Sequence, residues 1–188
     1  QDQIKLEQIF ETFKVDTVYH AGAYKHVPLV EENICEGVKN NVFSTLSIVK
    51  ASILKNVSNL VFISSDKAVR PTNIMGASKR LSELIIQSFA EDNSSAIFSM
   101  VRFGNVLNSS GSVVPLFQEQ IKNGGPLTVT HPKIERYFMT IQEAAELVIQ
   151  AGSLTQKSGE IFILDMGKSI KILDLAKQMI KMNGLIPR

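Results

Sequence analysis

Two rhythms of apolar residues divide the chain. Leu6, Ile9, Phe10 and Phe13 recur at the spacing of one helical face and predict an amphipathic opening helix. Asp16-Thr17-Val18-Tyr19-His20 then reads as a strand, after which Val38, Val42, Leu46, Val49 and Ile53 return to helical spacing over a long helix. Leu60-Val61-Phe62-Ile63 differs: four apolar residues without polar alternation suit a strand covered on both faces of a parallel sheet. The helix expected after it carries Leu81, Leu84, Ile85 and Phe89 as the face that packs on the sheet. Further strands are predicted over 97–103, 127–130 and 161–164, and Ile172, Leu175, Ala176, Met179 and Ile180 form a last stripe that reads as core. Strands alternating with helix-length segments give the α/β class.

Local signals punctuate these elements. Ser112 is placed to cap a helix with Pro115 in its first turn and Gly124-Gly125 past its end, and Thr140-x-x-Glu143 is a capping box. Asn40 and Asn41 fall inside the long helix, where their amides compete for backbone partners; the pair either faces solvent or has a functional reason.

Polar residues gather where the strands end. Ser64-Ser65-Asp66-Lys67 follows the apolar run directly, and open α/β sheets bind ligands at the carboxyl ends of their strands. Pro71 and Asn73 break the chain and open the next helix, on which Met75, Lys79 and Glu83 share one face. A loop carboxylate, a loop ammonium and a helix lysine thus converge on one crevice, which suits proton transfer; the plainer reading of Asp66-Lys67 is a solvated turn pair. Ala21-Gly22-Ala23 fits a tight turn and the close approach of a flat or phosphorylated ligand equally well. Asn105 stands just beyond the 97–103 strand and enters the same crevice. Arg136 by itself reads as a surface salt-bridge residue, with bidentate pairing to a diphosphate as the alternative.

Bulk properties narrow the field. The 188 residues, 44% hydrophobic and 20% charged, can form one domain or a closely joined pair. A net charge of +2 without a basic run argues against nucleic acid. Cys35, the single cysteine, can form no internal disulfide and is expected to be a packed thiol in a reducing compartment. His20, His26 and His131 have no metal-ligand spacing, so no metal is expected. No stretch is long and apolar enough to span a bilayer, so the segment is expected to make no membrane contact. A GxGxxG fingerprint is missing, and the chain is expected to be a piece of a longer protein.

The run Ser-Ser-Asp-Lys-Ala-Val-x-Pro-Thr-Asn-x-Met-Gly-Ala-Ser-Lys-Arg, from Ser64 to Arg80, resembles the active-site segment of the extended short-chain dehydrogenase/reductase superfamily. More narrowly, it resembles the CapD-type nucleotide-sugar 4,6-dehydratases of polysaccharide biosynthesis. His-Ala-x-Ala-Tyr-Lys-His-Val-Pro from His20, the Asn40-Asn41 block, Arg-Phe-Gly-Asn-Val-Leu from Arg102 and the block from His131 to Thr140 are similar to that family as well, with Gly22 in place of a usual alanine and Asn108 in place of a usual glycine.

The resemblance implies a Rossmann-like parallel sheet flanked by helices, N-terminally incomplete, over 1–106, with an interleaved smaller substrate-binding part over 107–188. It implies NAD or NADP near Ala21, Gly22, Ala23, Asn41, Ser64 and Lys79. It also implies a UDP-sugar substrate near Lys25, His26, Asn105 and Arg136, and catalysis by Asp66, Lys67, Ser65 and Lys79. A homo-oligomer in the cytoplasm, or at the cytoplasmic face of the inner membrane for a longer parent, is expected.

The implied reaction takes a hydride from C4, a proton from C5 and the hydroxyl from C6, then returns the hydride to C6. Lys67, lowered in pKa, is expected to take the C5 proton; Asp66, raised, to assist the departing hydroxyl; Ser65 to hold O4; and Lys79 to hold the nicotinamide ribose. Met75 stands where the superfamily has tyrosine, and a thioether accepts no proton; Asp66 or a water ordered by Ser65 and Lys79 is the substitute. Two rivals remain: an epimerase of the same superfamily, and a non-catalytic Rossmann-derived binding module. The segment alone is expected to be inactive.

Overall fold

The computed structural model describes residues 2–92, 96–109 and 111–187, so Ser110 of the predicted polar loop and Arg188 lie outside the described residues. In chain order the elements are α1 (Gln3–Phe13), β1 (Thr17–His20), α2 (Val27–Glu32), α3 (Ile34–Val38), a π turn (Lys39–Phe43), α4 (Ser44–Leu54), β2 (Asn59–Ile63), a 3₁₀ turn (Asp66–Ala68), α5 (Ile74–Asp92), β3 (Ile97–Arg102), β4 (Asn105–Val106), α6 (Val113–Lys122), β5 (Glu135–Arg136), β6 (Phe138–Met139), α7 (Ile141–Leu154), β7 (Glu160–Ile163), β8 (Ile170–Lys171) and α8 (Ile172–Met182). The chain divides into two compact units, Gln1–Phe103 with Glu146–Leu164, and Gly104–Ala145 with Asp165–Arg188.

The first unit is built on a four-stranded sheet of order β1-β2-β3-β7, parallel throughout. Its two faces follow from the pleat. Leu60 and Phe62 of β2, with Phe98 and Met100 of β3, pack against Val49 of α4 and Ile86 and Ala90 of α5. Val61 and Val101 point the other way, to Val148 and Ala151 of α7. Gly152 lets that helix come close, since a Cβ there would lie 2.8 Å from Val61 Cγ2. With both faces covered, the unbroken apolar run of β2 is explained. Because the strands are parallel, His20, Ile63, Arg102 and Ile163 all end on one edge of the sheet.

The second unit gathers around Phe117 of α6, with Ile172, Ala176 and Met179 of α8. Two small two-stranded sheets accompany it, β4-β6 parallel and β5-β8 antiparallel. Its capping box forms as predicted: Glu143 Oε2 accepts from the Thr140 amide and hydroxyl, and Thr140 Oγ1 accepts from the Glu143 amide.

The structure corrects several expectations. The long helix is split by the π turn at Asn40-Asn41, and side chains bond the turn's carbonyls: Ser44 Oγ donates to the Asn40 carbonyl, Thr45 Oγ1 and Ser82 Oγ to that of Asn41. The 127–130 stretch is no strand, because the Gln120 side chain takes the strand partner's place, its Oε1 accepting from the Thr128 amide at 3.0 Å. Leu81 and Leu84 are both 45% exposed, since α5 turns Ser78, Lys79, Ser82 and Glu83 inward instead. Cys35 is exposed, because the short α3 buries only Gly37. Ser112 precedes α6 as expected, but its buried Oγ bonds nothing among the described residues.

Candidate active site

The 3₁₀ turn at the end of β2 displays the predicted acid–base pair. Ser65 enters it with extended backbone; its Oγ accepts from the Lys67 amide at 3.2 Å and donates to Asp66 Oδ1 at 3.0 Å. Lys67 Nζ lies 3.0 Å from the same Oδ1, and the two side chains are 33% and 44% exposed. Lys67 is therefore only partly buried. The turn is held from below by the end of β3 and the residue after it, the Val101 and Phe103 carbonyls accepting from the Ser64 and Asp66 amides at 2.8 and 3.0 Å. It is held from the side by α5, where Gly76 meets the Lys67 carbonyl so closely that a Cβ would sit 2.3 Å from the oxygen. Asn73 Oδ1 and Glu31 Oε1 cap the start of α5, accepting from the Gly76 and Ile74 amides.

Behind the turn, α5 presents a polar inner face. Lys79 is 7% exposed; its Nζ donates to the Ile63 carbonyl at 2.8 Å and lies 4.5 Å from the Phe62 ring centroid. Burial pushes Lys79 down to about 8, and the Glu83 carboxylate opposes that shift. One turn further, Glu83 is fully buried and accepts from Ser64 Oγ at 2.6 Å, Arg102 Nε and Nη2 at 2.7 and 2.6 Å, and Arg80 Nη1 at 2.9 Å. Burial by itself raises a carboxyl, but the bonds from Arg102, Ser64 and Arg80 outweigh it and hold Glu83 below the usual range. Met75 is buried on the same face, its carbonyl accepting from Ser78 Oγ.

At the end of β1 a cleft of about 490 Å³ is lined by Ala21, Gly22, Ala23, His20 and the apolar Leu6, Phe10 and Val18 among others. A Cβ on Gly22 would meet only the His20 ring, at 3.9 Å, so the usual alanine would fit and the space above is not filled by protein. His20 is buried, its Nε2 3.0 Å from Thr45 Oγ1. Thr45 already spends its proton on the Asn41 carbonyl, which assigns Nε2 as the donor and leaves Nδ1 as an acceptor. Burial, and then the Lys79 ammonium, lower the His20 pKa to about 4, so the ring is neutral.

Two residues expected at the cofactor are committed to protein partners. Asn41 uses all four amide positions: Oδ1 accepts from the Tyr24 amide and Asn40 Nδ2, and Nδ2 donates to the Tyr24 carbonyl and Ser78 Oγ. Ser64 is buried, its hydroxyl on Glu83. Ala21, Gly22 and Ala23, open in the cleft, and Lys79, whose ammonium has two N–H groups beyond the Ile63 bond, could hold a dinucleotide. Lys25 is exposed and His26 stands at the N-terminus of α2.

Asn105 and Arg136 belong to the second unit, where the Asn105 amide donates to the Tyr137 carbonyl and the exposed Arg136 donates Nη1 to the Glu135 carbonyl. Among the described residues no group of three metal-ligating side chains comes together, and no helix is long and apolar enough to cross a membrane. Sequence reasoning gave no role to Arg102 or to Glu83 beyond its spacing. Their signal was a carboxylate four residues after Lys79 and a guanidinium at the end of an apolar strand, both at positions that face inward.

A family described as "Polysaccharide biosynthesis protein" matches residues 1–188. The capsular polysaccharide biosynthesis protein CapD of Staphylococcus aureus is 54% identical over 98% of the chain, which spans 31% of that relative's length. The X-ray structure of Pen from Bacillus thuringiensis superposes with a TM-score of 0.89 at 38% identity, covering 98% of this chain and 57% of that one. DesIV, a dTDP-glucose 4,6-dehydratase from Streptomyces venezuelae solved with NAD bound, shares the fold at a TM-score of 0.87 and 19% identity, over 98% of this chain and 62% of its own. The Rossmann-like class and the CapD-type resemblance expected from the sequence are thereby borne out.

Proposed function

From a chain that belongs to the polysaccharide biosynthesis protein family, we propose the catalytic part of an NAD(P)-dependent 4,6-dehydratase that converts a UDP-N-acetylhexosamine to its 4-keto-6-deoxy derivative for surface-glycan synthesis. The observation that carries this reading is the Ser65-Asp66-Lys67 turn: two acid–base groups and a hydroxyl within 3.0 Å contacts, at a strand's carboxyl end and open to solvent. Ala21, Gly22, Ala23 and Lys79 would hold a nicotinamide cofactor, which when bound would supply the hydride transfer between C4 and C6.

The chain's own residues handle the protons. Met75 takes none, so the O4 proton passes through Ser65 Oγ to Asp66. Lys67 removes the C5 proton, made acidic by the neighbouring C4 ketone. Asp66 then protonates the C6 hydroxyl as it leaves as water, and Lys67 returns its proton to C5. Each positioned acid–base group of this sort contributes about 10²–10⁴-fold. Asn41, saturated by its partners, braces the Tyr24 segment to α5; Lys25, His26, Asn105 and Arg136 are the substrate contacts of this reading, the last two in the second unit.

The test is the reaction of the full-length protein with UDP-N-acetylglucosamine and NAD, followed by mass spectrometry and NMR. Loss of one water with a 4-keto-6-deoxy product is expected, as is deuterium at C5 when the solvent is D₂O. Lys67→Ala should abolish both. An epimer of unchanged mass would replace the dehydratase by an epimerase, and cofactor binding without turnover would leave a binding module.

A further inference from the structure

Strand β3 reaches the acid–base turn along two routes. The carbonyls of Val101 and of Phe103, the residue just past the strand, accept directly from the Ser64 and Asp66 amides. The side chain between them, Arg102, donates twice to Glu83, and Glu83 Oε1 accepts from Ser64 Oγ at 2.6 Å. Ser64 is thus fixed at its amide by Val101 and at its hydroxyl by the carboxylate that the next strand residue, Arg102, anchors. Arg80 Nη1 donates to the other oxygen of Glu83, Oε2, from within α5. A fully buried carboxylate with two guanidinium partners is an expensive way to fill space, because an apolar group of similar volume avoids the desolvation of the charges. Its use is directional: it ties the residue just before the turn to the helix that carries Lys79.

We infer that Glu83 and Ser64 are positioning residues for the acid–base turn, the Arg102-anchored carboxylate holding the Ser64 hydroxyl and thereby setting where Asp66 and Lys67 stand. This inference rests on the acid–base role proposed above. Neither residue touches the reacting atoms; each acts through the turn. The hydroxyl is the separable part, because removing it leaves the Glu83–Arg102 pair and the fold in place.

The experiment uses the full-length protein with Ser64→Ala, Ser64→Thr and Glu83→Gln. With UDP-N-acetylglucosamine and NAD, Ser64→Ala should lower kcat about tenfold, the scale on which misplacement of a reacting group acts, with KM within about twofold. Ser64→Thr, which keeps the hydroxyl, should restore most of the loss. In parallel, amide hydrogen exchange should show Asp66 exchanging at least about tenfold faster in Ser64→Ala, while Leu60, Val61 and Phe62 keep their protection. Glu83→Gln, if folded, should show the same local loosening. Unchanged Asp66 exchange in Ser64→Ala overturns the positioning role whatever the reaction is, and so does a kcat loss that Ser64→Thr leaves unrepaired. Local loosening in a protein that yields no 4-keto-6-deoxy product keeps the positioning of the turn and overturns the reaction alone.

Discussion

Helices α5 and α8 look alike as patterns and are buried in opposite ways. The inner face of α8 is apolar, with Ile172, Ala176 and Met179 buried around Phe117. The inner face of α5 alternates Met75, Ser78, Lys79, Ser82 and Glu83 before reaching Ile86 and Ala90, while Leu81 and Leu84 look outward. Only the far half of α5 is an ordinary core helix; the half nearest the strand ends trades apolar burial for hydrogen bonds. A helix that serves a site is thus recognised by what it buries rather than by its apolar stripe.

The comparison breaks most sharply at Glu83. Glu83→Ala leaves Arg102 half-buried without its partner and should cost about 3–5 kcal/mol in urea unfolding, as for a broken buried ion pair. A loss below about 1 kcal/mol would show that the polar face contributes nothing that apolar packing does not.

His20 tests the polar side by pH. Its folded pKa, about 4 against 6.5 when unfolded, means that the unfolded chain binds the extra proton between those values. The stability it contributes is present above pH 6.5 and is lost as pH falls toward 4, by roughly 3 kcal/mol at about 1.4 kcal/mol per unit. His20→Gln should flatten that part of the stability curve relative to the parent.

Met179→Ala on α8 should cost about 2–3 kcal/mol by lost packing. The smallest effect belongs to Leu84→Ala, expected within about 0.5 kcal/mol because its side chain is exposed in this chain. Equal losses from Met179→Ala and Leu84→Ala would mean that the outward face of α5 is covered after all.

What was legible in the sequence follows from the same contrast. β2 announced itself because a strand covered on both sides is expected to be apolar throughout, and α8 because its core face has a single character. The Asp66-Lys67 turn was legible from its order of residues and its place after β2. The inward side of α5 was not, since periodicity assigns leucines to the core, and here serine, lysine and glutamate occupy it with partners distant in sequence, such as Arg102. The π turn kept helical spacing on either side and left only the Asn40-Asn41 pair as a sign. The 127–130 stretch alternates like a strand and packs Leu127 and Val129 into the core, yet the partner of its Thr128 amide is one glutamine side chain, which no local pattern foretells.

The contact of Gly76 with the Lys67 carbonyl has a consequence for how this protein can vary. Where a single hydrogen separates a helix from a turn, neither can drift alone: any side chain at 76 displaces the backbone that carries the acid–base pair. Position 76 and the segment from 66 to 68 therefore form one heritable unit. A laboratory search for altered chemistry would do best to randomise around that unit and leave the glycine untouched.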